Sequence, residues 1–162
     1  MSTIRFIVPG VPAPGGSKKA FIVRTRTGAL RSNIVDDAKR NAPWRSLVSV
    51  VAMQAMKGLP PFQGPIKLDV EFRMPRAKNH YRKNGALTAS APRDHTKKPD
   101  RTKLLRALED ALSGIVWRDD TQVVGGEVTK RFVGYDEAPG AAVTVVPLLG
   151  IDRPAISTRA RG

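Results

Sequence analysis

The chain has 162 residues, 41% of them hydrophobic and none cysteine, with 28 Lys and Arg against 14 Asp and Glu for a formal net charge of +14. This length suits a single domain that buries roughly 70% of its unfolded surface, and the missing cysteines exclude disulfides, thiol catalysis and cysteine-held zinc. The charge favours a polyanionic partner, because each phosphate contact releases counterions, and no apolar run reaches the roughly 18 residues of a membrane span.

Thr3 to Val8 alternates and is rich in β-branched residues, which predicts a first strand. The opening MSTIRFIVPG is too short and interrupted for a signal peptide, so a soluble, cytoplasmic protein is expected. Pro9-Gly10, Pro12 and Pro14-Gly15-Gly16 then make an irregular loop. Ala20 to Arg24 and Leu30 to Ile34 flank Thr27-Gly28 and suggest a small basic hairpin. Its Lys18, Lys19, Arg24, Arg26 and Arg31 suit either a solvated excursion or a DNA-facing arm. Asn41 to Lys57 is a predicted helix, capped by Asn41, with Pro43 in its first turn and Gly58 at its end. Trp44, Leu47, Val48, Val51, Ala52 and Ala55 form its apolar face, and Met53 is also expected in the core. Ile66, Leu68, Val70 and Phe72 alternate with Lys67, Asp69, Glu71 and Arg73, as in a half-buried strand.

Residues 75–99 form a long basic loop with Arg76, Lys78, Arg82, Lys83, Arg93, Lys97 and Lys98 against the single acid Asp94. Such a loop is functional or disordered, and ordering on DNA would reconcile the two. Tyr81 beside Arg82 offers a stacking group, and His95 reads as a hydrogen-bonding loop residue. Leu104, Leu105, Leu108, Ala111 and Leu112 then recur at helical spacing after Asp100, a candidate N-cap, and Ser113-Gly114 ends that helix. Thr121 to Val133 predicts a strand bulged at Gly125-Gly126, and Ala141 to Leu148 a last strand. The tail 151–162 is basic, broken by Pro and expected to be flexible. The sum is an α/β (α+β) single domain over 1–150, with a small mixed sheet and two main helices in the order β-α-β-α-β-β.

The stretch from Lys97 to Val124 concentrates the chemistry. Asp100 precedes the helix and Asp119-Asp120 follows it; if the chain folds back, Asp100 and Asp120 could meet at one end. Two carboxylates together in so basic a protein ask for a cation between them. Lys98-Pro99-Asp100, Lys103-Leu104, Arg106, Asp110-Ala111-Leu112 and Asp119-Asp120-Thr121-Gln122-Val123 resemble the signature of the RusA family of Holliday junction resolvases. The ordered match spans about a sixth of the chain, and weaker likeness extends to Phe72–Arg76 and Val8–Pro12. One departure stands out: Thr102 occupies the position where that family usually has a second acid.

The resemblance implies a RusA-like fold and a Mg²⁺-dependent enzyme, with Mn²⁺ as a substitute. It would resolve four-way DNA junctions by paired symmetric cuts in recombination and repair. It implies Asp100 and Asp120 as catalytic metal-binding acids, Asp119 in support, and Arg106 as the essential base. Lys98 and Lys103 would clamp phosphates, with Lys18, Lys19, Arg76 and Lys97 as further DNA contacts. It also implies a homodimer in a bacterial cytoplasm, phage-encoded in many cases, with no membrane and no small-molecule cofactor. Each residue has a plainer reading: Asp100 as an N-cap, Asp119-Asp120 as a turn, Arg106 as the partner of Asp110. Thr102 leaves three outcomes: an acid supplied by Asp69, Glu71 or Glu109; a site with fewer carboxylates; or a non-catalytic branched-DNA-binding protein. An RNA-binding accessory role would account for the charge but not for the paired acids.

Overall fold

A computed structural model describes residues 2–15, 18–24, 30–36 and 41–148, with side chains for 2–15 and 41–148. The elements are β1 (Ile4–Pro9), β2 (Lys18–Arg24), β3 (Leu30–Asp36), α1 (Asn41–Met56), β4 (Ile66–Met74), α2 (Arg101–Leu112), β5 (Val123–Gly125), β6 (Val128–Phe132) and β7 (Gly140–Pro147). One five-stranded sheet runs β1-β7-β4, and β4 then pairs with both β5 and β6; β2 and β3 form a separate antiparallel ribbon. β4 is antiparallel to β7 and parallel to β5 and β6, so the sheet is mixed as expected. The tail 151–162 lies outside the described residues.

The period-2 pattern of β4 decides which face is buried. Ile66, Leu68, Val70, Phe72 and Met74 turn inward, beside Val8 of β1 and Val143 and Val145 of β7. α1 contributes Trp44, Val48, Ala52 and Met56, one residue every four, and α2 contributes Leu104, Ala107, Leu108, Ala111 and Leu112. Fully burying such side chains contributes roughly 1.5–3 kcal/mol each. Ser49 Oγ donates to Ala111 O at 3.0 Å and ties the two helices together. Met53 is a correction: it lies one position beyond the Ala52 stripe and is 53% exposed. Asn41, expected as a cap, is instead the first helical residue and is buried.

The strand expected over 121–133 is split into β5 and β6 at Gly126-Glu127. The register irregularity against β4 falls at Val124, between the Val123–Ile66 and Gly125–Lys67 pairs, not at Gly125-Gly126. Gly126 has φ +146°, and a Cβ there would stand 1.8 Å from Leu68 O, so only glycine fits. Residues 75–99 are folded. A short 3-10 turn at Lys78–His80 leads to a small hairpin in which Tyr81 bridges Leu87 and Thr88 N donates to His80 O. Asp94 bridges Arg131, and Phe132 N donates to Arg93 O, so the segment extends the sheet beyond β6. His80 and His95 are buried around Phe132, with ring centroids 4.9 and 4.7 Å away. Burial, with Lys130 and Lys97 nearby, pulls His95 below the ordinary histidine value.

On the opposite face of the sheet the register sets Arg73 against Arg131. Two glutamates neutralise the pair. Arg131 donates to Glu137 at 2.6 and 2.7 Å and to Glu71 at 3.0 and 3.1 Å. Arg73 reaches Glu71 at 2.8 Å and Glu137 at 3.2 Å. The Arg131 guanidinium holds Glu137 down to about 2, helped by the Gly134 N–H.

Candidate active site

α2 is the axis of the site. Its buried stripe faces β4 and α1, and Arg101, Thr102, Lys103, Arg106 and Asp110 point to solvent. Gly15 N donates to Lys103 O at 2.9 Å, so the loop leading to the β2–β3 ribbon crosses the first half of this helix. Lys18 and Lys19 lie in β2, with side chains outside the described residues.

Asp100 stands at the N-cap, but its side chain makes no capping bond. Its carboxylate is exposed and lies 3.9 Å from Lys103 Nζ. Behind it, Lys130 of β6 donates to Lys97 O and Pro99 O, both at 2.8 Å. Burial pulls the Lys130 ammonium below the usual lysine value, and the charge of Asp100 opposes that pull. Arg101 donates to Val128 O at 3.2 Å. The start of α2 is therefore fastened to β6.

Asp120 sits elsewhere. It accepts from the buried Trp117 indole at 2.9 Å and lies in the field of Glu109, which burial, then Asp120, then Asp110 push above the ordinary glutamate value. Asp119 caps the short turn Asp120–Gln122, accepting from the Thr121 amide at 2.8 Å and its hydroxyl at 2.6 Å. These bonds hold Asp119 below the ordinary aspartate value. Gln122 completes the corner by donating to Phe62 O and Gly64 O.

Asp100 and Asp120 thus do not meet at one end of the helix within this chain. Register is the reason. Val123 pairs with Ile66, and Val128 with Val70. The corner carrying Asp120 is therefore fixed four β4 residues, about 13 Å, from the strand segment that receives the start of α2. Nine residues of helix, also about 13 Å, separate Asp100 from Glu109. Among the described residues, no group of three or more His, Asp or Glu side chains could hold a metal ion.

Of the acids considered in place of Thr102, two are committed. Asp69 accepts from Glu127 N and pairs with Lys67, and both hold its carboxyl low. Glu71 is clamped by Arg131 and Arg73. Glu109 remains, half-buried beside Asp120, on a cavity of about 270 Å³ lined also by Leu105, Val123 and Gly126. Glu109, pushed up by burial and by the charge of Asp120, makes with Asp120 a donor set that a hard divalent cation fits.

Arg106 is exposed, and its expected ion pair with Asp110 does not form among the described residues. Lys97 and Lys98 are exposed just ahead of Asp100. Arg76 is otherwise engaged: it donates to Val133 O at 2.6 Å and Pro92 O at 2.7 Å, with its guanidinium 5.2 Å from the centre of the Phe132 ring. It locks residues 75–99 in place, leaving little of it for DNA. Sequence reasoning missed Lys130 and Trp117. Nothing in their local spacing links them to the acids, because the links run across the sheet and the corner.

Residues 9–146 match the family described as Endodeoxyribonuclease RusA. The uncharacterized protein YqaN of Bacillus subtilis is 28% identical over 147 residues, covering 90% of this chain and 96% of that protein. No described helix is long and apolar enough to cross a membrane. With most of its length matched, the chain belongs to the RusA endodeoxyribonuclease family.

Proposed function

We propose that this protein is a divalent-metal-dependent endonuclease that resolves four-way DNA junctions by paired cuts. The observation that carries the reading is α2 itself. It has Asp100 at its start, Glu109 within the field of the Asp120 carboxylate near its end, and a solvent face bearing Arg101, Lys103 and Arg106. Acids that attract a cation beside bases that attract phosphate are what phosphodiester hydrolysis requires.

In this reading Asp120 and Glu109 hold a divalent cation, Mg²⁺ or Mn²⁺, and Glu109 supplies the charge that Thr102 lacks. Asp119 supports the corner. Such a cation supplies a more acidic bound water and neutralises phosphate charge. Trp117 fixes one oxygen of Asp120, and the other accepts no hydrogen bond among the described residues. Asp100 at the helix start supplies a further carboxylate for the cation, and Arg106 holds the scissile phosphate. Lys97, Lys98 and Lys103 bind flanking phosphates, and Lys18 and Lys19 extend that surface along the ribbon. Two symmetric cuts need two sites, so a two-fold homodimer is the economical assembly. It would also have to bring Asp100 and Asp120 to one site if both act together. The setting is a bacterial cytoplasm, with a phage origin in keeping with the family.

Thr102 and the distance between Asp100 and Asp120 favour one second reading, a branched-DNA-binding protein that has lost cleavage. Labelled four-way junction and linear duplex of the same sequence, each incubated with Mg²⁺ or EDTA, separate the two. Metal-dependent paired nicks in the junction support the resolvase. Tight junction binding with no nick under any metal supports the binder.

A further inference from the structure

The geometry points to Lys130 as the positioning residue for Asp100. The inference rests on the nuclease reading above and adds to it a residue outside the acidic signature.

Lys130 lies on β6 opposite Phe72 of β4. Its ammonium leaves the strand and donates to two backbone carbonyls of the segment entering α2, Lys97 O and Pro99 O, both at 2.8 Å. Asp100 is the next residue, and its side chain makes no capping bond to α2. Among the described residues the carboxylate has one ionic neighbour within 4 Å, Lys103 at 3.9 Å. Its place is therefore set by the backbone that leads into it, and Lys130 grips that backbone on both sides of Lys98.

The arrangement costs more than a structural tie needs. A lysine ammonium drawn from water to serve two neutral carbonyls loses hydration that those bonds only partly restore. A neutral donor, or a packed apolar residue, would hold a turn more cheaply. Lys130 also places a positive charge behind Asp100, to which the carboxylate is electrostatically drawn. Arg101, bonded to Val128 O, secures the following residue to the same strand. β6 thus acts as a rigid template for the start of α2, as a precise site demands.

The test uses the full chain as Lys130→Met and Lys130→Arg beside wild type. Four-way junction cleavage is followed across a Mg²⁺ titration, with junction affinity measured in EDTA and folding checked by thermal melting. Lys130→Met is expected to lower the cleavage rate at saturating DNA at least tenfold and to raise the Mg²⁺ needed for half-maximal rate several-fold. Junction affinity should stay within threefold, and Lys130→Arg should recover most of the rate. A Lys130→Met protein that cleaves with wild-type rate and Mg²⁺ dependence overturns the inference. So does one whose activity falls only in proportion to its unfolded fraction. If wild type cleaves nothing, the nuclease reading fails, and amide exchange then decides the positioning. Amides from Lys97 to Leu104 exchanging much faster in Lys130→Met than in wild type uphold the grip, and unchanged exchange refutes it.

Discussion

Replacing Glu137 by Gln probes the charge network on the open face of the sheet. Glu137 receives Arg131 through two short bonds, accepts from Gly134 N, and lies 3.2 Å from Arg73. Its carboxyl is held from 4.5 to about 2, which corresponds to about 3 kcal/mol at 1.36 kcal/mol per unit. The side chain keeps 27% of its exposure, so solvent screening reduces the contribution to about 1–2 kcal/mol. Glu137→Gln should therefore lower the melting midpoint at pH 7 by about 2–8 °C. The sign with pH follows from the depressed value. The contribution is complete above 4.5 and is lost as pH falls from there through about 2. Thermal melts of both proteins from pH 7 to pH 3 should show the deficit shrinking to about half or less. Equal midpoints at pH 7, or a deficit unchanged at pH 3, would refute the role given to this carboxylate.

Three further outcomes follow from the packing. Gly126→Ala forces a Cβ to within 1.8 Å of Leu68 O at φ +146°, so urea unfolding should show a loss of about 3 kcal/mol or more; a wild-type midpoint would mean that β5 and β6 do not join as described. Trp117→Phe removes the donor that fixes Asp120 and should cost about 1–3 kcal/mol in stability. It should also slow junction cleavage by more than the unfolded fraction explains, which single-turnover kinetics would reveal. Arg76→Met frees the carbonyls of Val133 and Pro92 and the face of Phe132. Limited proteolysis should then cut between Tyr81 and His95 several-fold faster, with junction affinity nearly unchanged; a large affinity loss would return Arg76 to the DNA surface.

The sheet and both helices were readable in the sequence because each buries one face. Ile66, Leu68, Val70 and Phe72 mark β4 by strict alternation, and Leu104, Leu108, Ala111 and Leu112 mark α2 by helical spacing. Gly125-Gly126 marked an interruption that proves to be the break between β5 and β6, and the ribbon was readable from Thr27-Gly28 between two strand-like runs. Residues 75–99 gave no periodic signal, because they are held by distant partners. Arg76 bonds a carbonyl 57 residues on, and His80 and His95 pack on Phe132. The acids were readable as residues but not as a geometry. Whether Asp120 meets Asp100 or Glu109 depends on the register of β5 against β4, and local sequence carries no trace of a register set by tertiary contact. Glu109 drew notice only as one of three candidate replacements; its place beside Asp120 singles it out.

The central claim is that the acids flanking α2 make this family member a metal-dependent nuclease. Its most direct test is four-way junction cleavage in Mg²⁺ by wild type, Asp100→Asn and Asp120→Asn, with junction affinity measured in parallel. The account predicts paired metal-dependent nicks by wild type and a loss of at least a hundredfold in rate in each variant, with affinity within a few-fold of wild type. Cleavage that persists in both variants, or a wild type that binds the junction and never nicks it, would contradict it.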